Sequence, residues 1–137
     1  MAGNKYLLPD TCAWIDYFRP AMGPLAGKLG EELSKSVVCT CGVVLMEILQ
    51  GVKTDTEREA LADAFEALPW LEPDRVLWAK AGDLARGLRE KGITIPFSDI
   101  IIATLALEHE ATVLTRDRHF LQIKGLQVIG LEPDEGI

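Results

Sequence analysis

Short apolar runs alternate along this chain with longer stretches in which apolar residues recur at helical spacing. Continuous runs at 5–9 (KYLLP), 36–41 (SVVCTC), 112–115 (TVLT) and 127–131 (QVIGL) predict four short strands. A strand with one face in water alternates polar and apolar residues, and these runs do not. The pattern therefore predicts a parallel sheet that is covered on both faces.

Helical patterns occupy the intervals between these strands, and proline or glycine follows several of them. The first stops at Pro20, and Ser98 is the expected N-cap of the helix that opens at Asp99. Strands that alternate with helices predict an α/β fold, a three-layer α/β/α sandwich around a short central parallel sheet. The predicted helices cover 11–19, 25–33, 42–50, 54–68, 73–91, 99–110 and 117–121.

The length of 137 residues is that of one ordinary domain, so residues 1–137 are expected to form a single unit. Apolar residues make up 48% of the chain, enough for a buried core. The apolar run Ile100–Leu107 is far shorter than the roughly 20 residues of a membrane span. The first residues also lack the plan of a signal peptide. These observations favour a soluble cytoplasmic protein that does not engage a membrane.

Three cysteines are present, an odd number that fits free thiols in a reducing compartment. Cys39 and Cys41 are spaced as half of a zinc site would be, but no second cysteine or histidine pair accompanies them. The other interpretation is that both are small buried residues on one face of a strand.

Three aspartates follow predicted strands or open predicted helices. Asp10 directly follows the first strand, Asp117 lies just past TVLT, and Asp99 follows the short stretch ITI. In parallel sheets, functional groups collect beyond the carboxyl ends of the strands. Each aspartate taken alone is also explained as a helix cap, because its carboxylate accepts free amide hydrogens at the helix start.

Glu47 interrupts a helix that is otherwise apolar on all sides (VVLMEIL). Burial of an unpaired charge costs several kcal/mol, so this carboxylate must meet a cation, a hydrogen-bond donor or water at a cleft. A metal ion is one candidate partner, and an ion pair with a distant arginine is the alternative.

Four acids gathered in one place would form a hard, oxygen-rich site. Mg²⁺ and Mn²⁺ favour carboxylate and water ligands, whereas carboxylates without a cation repel one another and raise each other's pKa. Such a site can activate a metal-bound water and stabilise the charge of a phosphoryl transition state. Hydrolysis of a phosphodiester is the reaction class this favours.

Three segments of the chain resemble PIN-domain ribonucleases, and more closely the VapC toxins of VapBC toxin–antitoxin pairs. The resemblance covers essentially the whole chain in the right order, and the last segment is the most specific. The segments are YLLPDTCAWIDYF, VVLMEILQG and IPFSDIIIATLALEHEATVLTRDRHF.

The resemblance implies an Mg²⁺- or Mn²⁺-dependent endoribonuclease with a PIN-like fold, and it implies roles for individual residues. Asp10 and Asp99 match the positions that contact metal most directly. Thr11 and Thr115 match hydroxyl positions that orient the carboxylates, while Arg116, Arg118 and His119 are candidates for phosphate contact. The implied metal-binding and catalytic quartet is Asp10, Glu47, Asp99 and Asp117.

The resemblance also implies a homodimer and a VapB-like antitoxin whose basic arm fills the toxin groove. The formal net charge of −7 is unusual for a nucleic-acid binder, but an acidic surface suits a basic inhibitory arm. Trp14, Tyr17 and Phe18 are candidates to line that groove, and core packing is the alternative for each.

Three other functions compete with the toxin interpretation. The first is a housekeeping PIN nuclease of RNA processing. The second is a receiver-like domain in which Asp10 binds Mg²⁺ and another aspartate accepts a phosphoryl group, although such a domain wants paired acids after its first strand and gives Glu47 no role. The third is an inactive interaction module.

Overall fold

The computed structural model describes residues 6–19 and 23–131. Lys5 and Pro20, which the sequence places at the start of the first strand and the end of the first helix, lie outside these ranges. The described elements, in chain order, are β1 (Tyr6–Pro9), α1 (Thr11–Phe18), α2 (Ala26–Lys35), β2 (Val37–Val38), α3 (Gly42–Leu49), α4 (Asp55–Glu66), α5 (Arg75–Glu90), α6 (Phe97–His109), β3 (Ala111–Leu114), a 3₁₀ helix (Arg118–Gln122) and β4 (Val128–Ile129).

A four-stranded sheet forms the centre, with strand order β2-β1-β3-β4 and every pairing parallel. β1 pairs with β3 in a register that sets Pro9 opposite Leu114. Leu8 and Val113 are fully buried, as expected for central strands that are covered on both faces. The register brings the carboxyl ends of β1 and β3 side by side, so residues that follow these strands meet at one edge of the sheet.

Helices α1, α2 and α6 pack against the sheet, and α6 does so most extensively. α6 contacts both β1 and β3, and it is buried continuously from Asp99 to Ala106. Its outer neighbour is α5, while α1 packs against α2 and α3. The predicted α/β architecture is therefore confirmed. No helix in the described ranges combines the length and apolar character that crossing a membrane demands.

The start of α6 differs from the prediction. Ser98 was expected to be its N-cap, but the helix begins at Phe97 and Pro96 occupies the cap position. The backbone amides of Asp99 and Ile100 already bond to the Pro96 carbonyl at 3.0 Å, so Ser98 lies inside the first turn. Proline suits this boundary because it lacks the amide hydrogen that a helix start leaves unused.

Candidate metal centre

Asp10 lies where β1 ends and α1 begins, and only 3% of its surface is exposed. Its side chain accepts hydrogen bonds from the Thr11 amide (2.6 Å) and from the Thr115 hydroxyl (2.9 Å). Both donors are neutral. Burial, followed by the charge of Asp99, raises the pKa of Asp10 from 3.8 to about 6. The N-cap interpretation is therefore correct for this residue, and yet capping leaves its charge uncompensated.

Thr115 connects the ends of the two central strands. Its hydroxyl donates to Asp10 and accepts the backbone amide hydrogen of Asp117 at 3.0 Å. Because Thr115 is fully buried, this bridge holds Asp117 beside Asp10. The nearby charge of Asp117 contributes to the raised pKa of Asp10.

Asp99 projects from the first turn of α6 and is 8% exposed. Burial raises its pKa, with the charges of Asp117 and Glu47 acting in the same direction. The ring nitrogen Nε2 of His119 lies 2.7 Å from the Asp99 Oδ2 and opposes that rise. The sequence interpretation considered His119 only for phosphate contact, because nothing local indicates that it meets an acid on α6.

Glu47 reaches the same edge from α3. The Thr11 hydroxyl donates to its Oε1 at 2.6 Å, so Thr11 contacts two of the four acids, one through its backbone and one through its side chain. The glutamate is half-buried. Its partner here is thus a hydroxyl group at the rim of the acidic cluster, as a place at a cleft would require.

Cys12 also enters the cluster, which the sequence did not indicate. Its sulfur lies 3.6 Å from the Asp10 Oδ2 and 3.5 Å from the Thr115 hydroxyl. Burial raises the pKa of this thiol to about 11, and the negative charge of Asp10 adds to the effect. Cys39 and Cys41 are buried free cysteines. Burial raises the pKa of the Cys41 thiol, and the charges of Asp10 and Glu47 act in the same direction, so Cys41 lies near the cluster.

Two groups of possible metal ligands emerge among the described residues, and Asp117 belongs to both. One consists of Asp10, Cys12 and Asp117, and the other of Asp99, Asp117 and His119. Within each group the ligand atoms lie within 4.8 Å of one another. Crowded carboxylates with raised pKa values favour a bound cation, since it removes their mutual repulsion. The donor set therefore fits a hard divalent ion, with one nitrogen and one sulfur donor at its margins.

Arg116 turns away from this cluster. Its guanidinium forms a charge-assisted hydrogen bond with buried Asp16, and the same nitrogen lies 3.5 Å from the Cys12 carbonyl. Asp16 also accepts the Leu25 amide hydrogen at 3.1 Å. Arg116, a candidate for RNA contact, is thus engaged in an ion pair, although 41% of its side chain is exposed. Arg118 is exposed.

The PIN-domain family model matches residues 7–126, so this chain belongs to the PIN-domain family. Ribonuclease VapC11 of Mycobacterium tuberculosis is 34% identical over 121 residues, which are 83% of this chain and 88% of the relative. Ribonuclease VapC19 of the same species is 33% identical over 126 residues, or 88% and 96%. Membership of the family disfavours the receiver-like alternative.

Solved structures confirm the fold. VapBC2 from Rickettsia felis, crystallised with a DNA fragment from its promoter, superimposes with a TM-score of 0.76 at 20% identity. The superposition covers 90% of this chain and 97% of that chain. A four-stranded parallel sheet with helices on both faces is thus the arrangement that the resemblance implied.

Proposed function

We propose that this chain is a metal-dependent endoribonuclease, the toxin of a type II toxin–antitoxin pair. Asp10, Glu47, Asp99 and Asp117 hold Mg²⁺ or Mn²⁺, and the reaction is hydrolysis of RNA phosphodiester bonds. The observation that carries the proposal is Asp10, a carboxylate buried among neutral donors and other acids, with its pKa raised to about 6. A divalent cation supplies the positive charge that this arrangement needs.

The burial and hydrogen bonds of each residue support the role that we assign to it. Asp10 and Asp99 are the most deeply buried acids of the quartet and are assigned the closest contact with the metal. Thr115 and Thr11 fix the carboxylates of Asp10 and Glu47 through the hydroxyl bonds described above. A bound Mg²⁺ or Mn²⁺ ion supplies Lewis acidity and a water of lowered pKa at this position.

RNA as the substrate rests on the two VapC relatives, which bear the name ribonuclease. They also favour the toxin over a housekeeping nuclease. Arg118, next to Asp117 and exposed, is the candidate for phosphate contact. Arg116 serves that role only if its ion pair with Asp16 opens.

A VapB-like antitoxin is the proposed partner, and a homodimer the proposed assembly. Three aromatic residues were candidates to line the groove that the antitoxin arm would fill. Of these, Trp14 is 2% exposed and packs in the core. Tyr17 and Phe18 are 38% and 40% exposed and stay available. A basic arm suits the net charge of −7 and the acids at the end of the sheet.

Cleavage of total cellular RNA by the purified, antitoxin-free protein tests the proposal, with Mg²⁺, Mn²⁺ or EDTA in parallel reactions. Discrete fragments are expected with either metal, and EDTA or Asp10→Asn should abolish them. Asp83→Asn on the exposed side of α5 is the matched control, because it removes the same charge from a residue that is not part of the cluster. Absence of metal-dependent cleavage by folded protein would refute the nuclease function.

A further inference from the structure

His119 differs from the carboxylates around it because it offers nitrogen. The 3₁₀ helix that carries it follows Asp117 directly, and the next residue, Phe120, is fully buried. The two rings pack with their centroids 4.9 Å apart. One anchored turn thus presents Asp117 and His119 to the same space, while Asp99 approaches from α6.

The imidazole is directed at the acidic cluster. Its Nε2 lies 2.7 Å from the Asp99 Oδ2, and its ligand atom lies within 4.8 Å of those of both Asp99 and Asp117. Small side-chain rotations would bring the ligand atoms of Asp99, Asp117 and His119 into one coordination sphere. The 30% exposure of the His119 side chain leaves it accessible to an ion that enters from solvent.

We propose that His119 is a nitrogen ligand of the metal centre, completing a set with Asp99 and Asp117. This inference rests on the proposed function, since it takes the acidic cluster to be a metal site. An all-oxygen set suits Mg²⁺, whereas imidazole favours transition-metal ions. His119 therefore makes the centre prefer transition-metal ions to Mg²⁺, and Co²⁺ serves as the spectroscopic probe for that class.

The alternative role for His119 is to orient Asp99 by a hydrogen bond without contacting the ion. His119→Gln separates the two roles, because glutamine keeps a donor for Asp99 but is a poor substitute for imidazole as a ligand. His109→Gln is the matched control. The chain has two histidines, and His109 is exposed at the far end of α6.

The experiment measures binding of Co²⁺ and of Mg²⁺ to the purified full chain, without RNA. Calorimetry gives both affinities, and the visible absorption of Co²⁺ reports the ligand set. His119→Gln is expected to weaken Co²⁺ binding by about 10-fold or more and to change the Co²⁺ spectrum. Mg²⁺ binding should change by less than about threefold, and His109→Gln should match the wild type in every respect.

Other outcomes overturn the inference. Equal loss of Co²⁺ and Mg²⁺ affinity in His119→Gln would mean that the histidine acts through Asp99. Unchanged binding of both ions with an unchanged spectrum would mean that it has no role toward the metal. A wild-type chain that binds neither ion would instead refute the metal centre itself. When the wild type binds, Asp99→Asn should lose both ions, and binding that this variant leaves unchanged would lie outside the acidic cluster and overturn the inference.

Discussion

Two buried aspartates, one that caps α1 and one in its last turn, have opposite surroundings. Asp10 and Asp16 are each 3% exposed. Asp16 receives the Arg116 guanidinium and the Leu25 amide, so its charge is neutralised within the chain. Asp10 receives a neutral amide and a neutral hydroxyl, and the charges near it, Asp99 first, are negative.

Burial of a carboxylate therefore does not by itself mark a functional site. A buried acid paired with arginine is a structural contact, and removal of one partner destabilises the fold. A buried acid among other acids stores repulsion that a ligand can relieve. Asp16 belongs to the first class and Asp10 to the second, even though they are only six positions apart in a single helical segment.

The largest expected effect is on catalysis. Asp99→Asn and Asp10→Asn should each lower RNA cleavage by on the order of 100-fold or more, since each removes a charged ligand and keeps the side-chain shape. Initial rates with Mg²⁺ and with Mn²⁺ measure the loss, and Asp83→Asn should retain full activity. A folded Asp99→Asn protein with wild-type rates would exclude that residue from the site.

The second effect concerns the pH dependence of stability in the metal-free protein. The folded-state pKa of Asp10 is raised from 3.8 to about 6. Between these two pH values the native state therefore binds more protons than the unfolded state. Stability should therefore fall as pH rises from about 4 to about 6. The contribution of Asp10 is about 2–3 kcal/mol.

Chemical denaturation at several pH values, in the presence of EDTA, measures this fall in the free energy of unfolding. Asp10→Asn should flatten the fall and be the more stable protein at pH 7. When saturating Mg²⁺ replaces EDTA, the free energy of unfolding of the wild-type protein should rise again, because an ion that binds only the native state stabilises it. A wild-type protein whose metal-free stability rises across this window would contradict the uncompensated charge of Asp10.

Some of these features could be predicted from the sequence, and others depend on contacts that the sequence does not show. The apolar runs predicted the parallel sheet, since burial on both faces leaves a local pattern. Asp10 and Asp99 were predicted as site residues from their places after a strand and at a helix start, and the structure brings the two carboxylates near each other. The Asp16–Arg116 pair could not be predicted, because its partners are 100 positions apart. Cys12 and His119 were missed as cluster members although they lie close in sequence to Asp10 and Asp117, because the local pattern does not show which way their side chains point.

Asp16→Asn tests whether the paired aspartate stabilises the fold. It should lower the free energy of unfolding by about 1–3 kcal/mol, a value reduced because Arg116 is partly exposed. Asparagine can still accept the Leu25 amide hydrogen. Denaturation at pH 7 measures the loss, and the sign should be opposite to that of Asp10→Asn in metal-free protein. Two changes of the same sign would remove the distinction between the acids.

Glu47→Gln should have the smallest effect. The residue is half-buried at the rim and Thr11 can still bond to glutamine, so cleavage should fall by about 10-fold. Metal-free stability should rise by less than about 1 kcal/mol, because one charge that raises the pKa of Asp99 disappears. Lower metal-free stability would instead indicate that the Glu47 charge has a cationic partner.

The hydroxyl of Thr115 reaches Asp10 across 105 positions of sequence. This contact depends on β3 pairing with β1, so Asp10 and Asp117 meet only after β3 and the residues that follow it have left the ribosome. A nascent or prematurely terminated chain carries Asp10 and Glu47 without Asp117. An incomplete chain therefore lacks the assembled acidic cluster.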